Sequence, residues 1–248
     1  MDKNAVMRRF SCREYSETPL SRKTLSIIGE AIGLLKPLFE DISVSFSLYD
    51  KSEIDSVVSG KLVKAPHYIV VKSEKKSFYL ENVGFLAEQL VLYLTQMNIG
   101  TCWCGMGREV SGKEDGKEYC ITVACGYPGE GVRFREDAAL VKRKSLKTLV
   151  YGEVNPSSEE YLEAARLAPS ALNHQPVRYL VRGDEISIFR NPSAIGYLDK
   201  LRCIDTGIAA ANIYWTAMCE GRDLSFYRKG NTELSGKSVY FLSCNISD

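Results

Sequence analysis

The order of secondary-structure signals runs through the 248 residues twice, and this repetition limits the possible folds more than any single motif. Residues 24–35 carry Leu25, Ile28, Ile32 and Leu35 at helical spacing, with Ser21 placed as a cap after Pro19. Residues 157–167 repeat the pattern with Tyr161, Leu162, Ala165 and Leu167, opened by Pro156 and Ser157. Two runs rich in Val, Ile, Tyr and Phe follow in each part, 44–49 with 68–72 and 177–182 with 185–190, and they read as strands. A second helix is expected near 82–98 and again near 205–220, and each part closes on an apolar strand, 120–126 and 238–244. Setting Gly84 against Gly207 places Ala87 on Ala210, Gln89 on Asn212, Leu90 on Ile213 and Leu94 on Ala217. Any chain that alternates helices and strands looks somewhat repetitive; the aligned helix residues favour a divergent internal duplication. The natural boundary is the connection 144–157, with Gly152, Asn155 and Pro156, which gives halves 1–150 and 151–248. Helices mixed with short strands, without regular βαβ alternation, indicate an α+β fold.

Composition narrows the partners. A net charge of +1 points to neither nucleic acid nor an acidic membrane surface. The most apolar stretch, 84–97, is interrupted by Glu88 and Gln89 and is too short to span a bilayer. The start carries Arg8, Arg9 and Arg13 with no long apolar run behind them, unlike a secretory signal, so a soluble cytoplasmic protein is expected. The eight cysteines include no CxxC pair, and with two histidines they make a poor zinc set. They read as buried free thiols in a reducing compartment, and no metal is expected.

Three segments carry polar chemistry. Residues 9–15 put Arg9, Ser11 and Arg13 on one side of an extended segment, a row suited to phosphate through bidentate, charge-assisted bonds and equally compatible with a solvated basic terminus. Residues 168–176 end a helix at Pro169 and start a strand after Pro176; between them Ser170, Asn173 and Gln175 offer donors and acceptors either to a ligand or to their own turn. Residues 100–107 contain three glycines around Cys102, Trp103 and Cys104, a loop that either lets backbone approach a planar ligand or buries one tryptophan.

Taken together, the Arg-x-Ser-x-Arg-x-aromatic start, the Ala-Pro-Ser-x-x-Asn-x-Gln-Pro run, the Gly-Thr-Cys-Trp segment and Gly126-Tyr127-Pro128 resemble the FMN-dependent nitroreductases. The resemblance implies central mixed or antiparallel sheets flanked by helices, with FMN as cofactor. It implies that Arg9, Ser11 and Arg13 grip the flavin phosphate and ribityl chain, with Arg143 or Lys144 as a further basic contact. Cys102, Trp103, Cys104 and Gly105 would face the flavin ring, and Pro169, Ser170, Asn173 and Gln175 would line the same site. Phe10 replaces a basic residue common in the family, and the first half reads Leu35-Lys36-Pro37-Leu38-Phe39 where the polar turn belongs. The phosphate row and the polar turn therefore each occur once, as in tandem members whose single chain mimics the usual homodimer. The expected activity is hydride transfer from NAD(P)H through the flavin to an electrophile such as a nitroaromatic or quinone. A flavin-binding sensor or store without turnover is the alternative. A monomer acting as a pseudo-dimer is expected, with further self-association left open.

Overall fold

The computed structural model describes residues 2–110, 116–230, 232–234 and 236–246. In chain order the first part contains α1 (Asn4–Arg8), α2 (Arg22–Gly33), β1 (Val44–Asp50), α3 (Ile54–Val57), β2 (Val58–Lys61), β3 (His67–Ser73), α4 (Tyr79–Gln96), β4 (Gly100–Cys104), β5 (Met106–Glu109) and β6 (Glu118–Gly126). The second contains α5 (Leu146–Leu149), β7 (Val150–Tyr151), α6 (Pro156–Leu167), β8 (Val177–Arg182), β9 (Glu185–Arg190), α7 (Gly196–Cys219), β10 (Phe226–Tyr227) and β11 (Val239–Asn245).

Strands rich in β-branched and aromatic residues pair into two principal sheets. One is antiparallel, in the order β1-β3-β6-β4; the other runs β10-β11-β9-β8-β7, with β7 parallel to β8, and β2 pairs with β5 as a small ribbon. The fold is α+β, as its sequence pattern indicates. The helices α4 and α7 pack on each other, α4 also touching the first sheet and α7 the second. α4 is buried along most of its length and α7 from Ile204 to Ala217, the pattern of helices enclosed by their neighbours there. Ile69, Val71, Ile121 and Val123 of the first sheet share a single core with Tyr179, Val181, Ile186 and Ile188 of the second. β7 straddles the expected boundary at residue 150 and belongs to the second sheet.

Close approach of the two long helices depends on a pair of glycines. A Cβ on Gly84 would lie 2.1 Å from the Ile204 carbonyl oxygen, and one on Gly207 would lie 1.9 Å from that of Glu81. Each glycine thus meets the residue three places before the other glycine, the reciprocal contact made by a two-fold axis. The aligned amides also act alike: Gln89 Nε2 donates to the Lys36 carbonyl just after α2, and Asn212 Nδ2 donates to the Ala164 carbonyl within α6.

Element boundaries differ from expectation in three places. Ser21 caps α2 as expected, but Asn155 caps α6 in a reciprocal box with Ser158. The second long helix begins nine residues before 205, because its first turns are partly exposed and carry Asp199, Lys200 and Arg202, which hides the apolar stripe. Residues 100–104 are the edge strand β4 instead of a loop, since Thr101 to Cys104 are strand formers paired with β6.

Candidate functional site

α1 stops at Arg9, where the backbone turns extended, and the following segment runs beside β4. Ser11 bridges Thr101 in parallel, and Cys12 N–H donates to the Thr101 carbonyl at 2.9 Å. Gly100 permits this approach, because a Cβ there would sit 2.8 Å from Cys12 Sγ. The expected row of side chains divides. Arg9 is 1% exposed and faces Glu88 of α4, Nε to Oε1 at 3.7 Å, while Arg13 is exposed and donates to the Ser11 carbonyl. Both remain close to β4: burial pushes the Cys102 thiol up to about 11, and Arg13 and Arg9 pull it back.

Two further arginines join Arg9. Arg135 N–H donates to the Arg8 carbonyl, which anchors the loop after β6 on the N-terminal segment. Arg143 donates from Nε to the Ala168 carbonyl at 3.1 Å and from Nη1 to Asn173 Oδ1 at 2.8 Å. Burial, with repulsion from Arg9, lowers Arg135 and Arg143 to about 10. Arg9 Nε and Nη2 and Arg135 Nη1 are buried without a hydrogen-bond partner among the described residues. Buried donors in native proteins are normally satisfied, so three orphans on clustered cations fit an anion such as a phosphate.

The turn after α6 is held in strained geometry. Leu172, Asn173 and Gln175 have φ of +52°, +55° and +51°, a region that non-glycine residues seldom occupy. The polar side chains of the turn help to hold this shape. Asn173 Oδ1 accepts from Arg143, and its Nδ2 donates to the Lys142 carbonyl. Gln175 Oε1 accepts from Lys144 N–H at 2.6 Å, Ser170 Oγ accepts from Gln175 N–H, and Lys144 Nζ donates to the His174 carbonyl. The buried Pro169 lines a small cavity with Ser170, Gln175 and Asp205. Asn173, Gln175, Arg143 and Lys144 therefore form one interlocked unit, near enough to Arg9 that the Arg143 and Arg9 charges repel.

Asp205 of α7 fixes the turn from beneath, accepting the Ala171 N–H at 3.0 Å. Asn82, at the matching place in α4, accepts the Leu38 and Phe39 N–H groups. Burial pushes the Asp205 carboxyl up to about 7. A carboxyl raised in the folded state contributes stability while protonated, and this is lost as pH rises from about 4 through 7. Asp205→Asn keeps an acceptor and removes the charge. It should leave stability nearly unchanged at pH 4 and raise it by up to about 4 kcal/mol at pH 8, read from urea unfolding at both pH values.

Cys102 and Cys104 are buried in β4, and Trp103 is half-buried with Nε1 donating to Glu88 Oε2 at 3.2 Å. Gly105 faces α7, where a Cβ would lie 3.2 Å from Leu201 Cδ1. Sequence reasoning missed Glu88, Arg135 and Asp205 as members of the site. A charge inside an otherwise apolar helix was the available signal for Glu88 and Asp205; Arg135, in an irregular loop, left none.

An α+β fold of two sheets around a packed pair of long helices is a nitroreductase-like architecture. The family described as "Putative TM nitroreductase" matches residues 3–217, and the chain belongs to that family. Over 98% of this chain and 92% of its own, a structure described as a putative nitroreductase from Thermotoga maritima is similar at 24% identity with a TM-score of 0.68. A nitroreductase family protein from Clostridium difficile aligns at 16% identity over 62% of this chain and 99% of its own, TM-score 0.52. No curated protein matches the chain. Among the described residues no helix is long and apolar enough to cross a membrane.

Proposed function

We propose that this chain is a flavin oxidoreductase that holds FMN where its two halves meet and passes a hydride from NAD(P)H to an electrophile such as a nitroaromatic or quinone. The observation that carries the reading is the cluster of the buried Arg9 with the half-buried Arg135 and Arg143: Arg9 and Arg135 carry orphaned donors, and Arg143 is bonded to the strained turn. Family membership supplies the flavin class. When bound, FMN supplies two-electron chemistry at its ring.

The residues divide the work. Arg9 and Arg135 offer the phosphate their free donors, with the Ser11 hydroxyl, Arg13 and Lys144 at the rim. The backbone of β4 at Cys102, Trp103 and Cys104, with Gly105 just after it, would face the ring, and Gly105 lies against Leu201 of α7. The Arg143–Asn173 bond would couple the phosphate end to the 170–175 turn. Pro169, Ser170, Asn173 and Gln175 bound the site through the shape of the turn.

The reciprocal glycine contacts support reading residues 1–150 and 151–248 as fused halves forming a pseudo-dimer. The same register sets Gly105 on Arg228 and Leu201 on Phe78. There the Arg228 guanidinium lies 4.2 Å over the Phe78 ring, and Phe78 stacks on Phe39 at 5.7 Å. Leu35, Leu38 and Phe39 pack against the core beside it. This filling of the counterpart supports one flavin site per chain. The test of the activity is anaerobic addition of NADH or NADPH to the purified protein: the flavin absorbance should bleach and return on adding a quinone. Persistence of the oxidised spectrum with both nucleotides rejects turnover and leaves the sensor alternative.

A further inference from the structure

Glu88 stands at a junction that the proposed chemistry does not use. It is wholly buried, and its two oxygens face different parts of the site: Oε2 accepts the Trp103 indole N–H at 3.2 Å, and Oε1 lies 3.7 Å from Arg9 Nε. The Arg9 contact is an ion pair without a hydrogen bond, leaving Glu88 Oε1 and Arg9 Nε and Nη2 all unbonded among the described residues. The arrangement is expensive. Taking two charges out of water costs more than an underbonded pair recovers, and an apolar pair would fill the space at less cost. The other half of the chain does so. In the register that sets Gly84 on Gly207, Glu88 falls on Ala211 and Trp103 on Phe226, both in packed positions. The carboxylate and the indole it holds are thus present together in one half and absent together from the other, so the helix–strand packing does not require them.

We propose that Glu88 is a positioning residue that holds the Arg9 guanidinium and the Trp103 indole with one carboxylate, tying the phosphate end of the site to its ring end. This rests on the flavin reading above. Because both arms hang from one group, the ionisation of Glu88 sets them together. Burial pushes its carboxyl up to about 7, against the pull of Arg9, Trp103 and Arg143, the groups facing it from the N-terminal segment, β4 and the stretch before α5. Above that pH the carboxylate draws Arg9 inward; below it the neutral acid keeps the indole bond and releases the guanidinium.

The chain has two tryptophans, and Trp215 Nε1 donates to a backbone carbonyl, that of Asp2, so it is an internal reference. In flavin-free protein labelled with 5-fluorotryptophan, the Trp103 fluorine signal should shift with a midpoint near pH 7 while that of Trp215 stays still. A Trp103 signal that does not titrate between about pH 5.5 and 8.5 overturns the proposal, since a carboxyl with ordinary or permanently fixed ionisation could not act this way. The second measurement compares FMN with riboflavin, which lacks the phosphate, in wild type and Glu88→Gln at pH 8. Gln keeps an acceptor for the indole and removes the charge that orients Arg9. Riboflavin affinity should change by less than about threefold, and the preference for FMN should fall by about tenfold or more. An unchanged or increased preference overturns the proposal, because a mere counter-charge competing with phosphate would strengthen FMN binding when removed. If wild type binds neither flavin while Trp103 still titrates, the functional reading fails and the junction stands.

Discussion

Gly207→Ala should destabilise the protein by about 3 kcal/mol or more, and Gly84→Ala by a similar amount, although alanine is the better helix former by about 1 kcal/mol. The added methyl at Gly207 would sit 1.9 Å from the Glu81 carbonyl oxygen, 2.7 Å from its carbon and 2.8 Å from the Phe85 nitrogen. These are backbone atoms of a buried helix and no rotamer change moves them, so α4 and α7 must separate. Separation opens the core that both sheets share. Gly29→Ala in α2 is the control, because a Cβ there meets nothing within 4 Å. That variant should gain roughly 0.5–1 kcal/mol from lower unfolded-state entropy. Urea unfolding of the three variants reads both signs; a neutral Gly207→Ala would mean that the crossing is looser than described.

Arg9→Ala should weaken FMN binding roughly ten- to hundred-fold, the loss expected when a charge-assisted bond worth about 1.5–3 kcal/mol disappears. Riboflavin, without a phosphate, should bind the variant and wild type nearly alike. The substitution also strands Glu88, and breaking a buried ion pair from one side costs about 3–5 kcal/mol while the remaining charge persists. Glu88 can escape by staying protonated. Arg9 pulls its pKa down, so without Arg9 the carboxyl remains neutral to a higher pH than its present value of about 7. The stability loss should therefore be modest at pH 6 and grow as pH rises above 8. A loss independent of pH, or equal FMN affinity in variant and wild type, contradicts the assignment of Arg9.

Much of this was legible in the residues, for reasons that also explain the rest. Enrichment in Val, Ile, Tyr and Phe marked β8 and β9 to the residue, because β-branched and aromatic side chains suit a pleated, packed surface. The alignment set Gly84 on Gly207 as a sign of duplication; that these are the positions where the long helices meet followed only from the structure. The start of α7 was hidden because partly exposed turns carry no apolar stripe. β4 was read as a loop because its glycines suggested freedom, whereas Gly100 answers to packing against Cys12. The polar turn was located by motif, yet its side chains proved to be committed to Lys142 and Lys144, and to Arg143 from the same stretch. Such pairings across thirty residues follow from tertiary placement, and local sequence does not encode them. Glu88 and Asp205 were visible as charges in apolar helices, but their partners became identifiable only once β4 and the turn had been placed.

The central claim is a single FMN held at the junction of two unequal halves, and counting flavin per chain tests it most directly. The purified protein should be yellow. Unfolding should release flavin equal to one per chain by absorbance, with mass spectrometry giving FMN, because the proposed arginine cluster suits one terminal phosphate and the sequence has no GxGxxG fingerprint for a dinucleotide. Light scattering on the same sample shows whether a lone chain suffices. One FMN on a monomer is the result predicted. Two flavins per chain would mean that Arg228 and Phe78 do not close the counterpart site, and a colourless protein that takes up no added FMN, or one that releases FAD, would contradict the account.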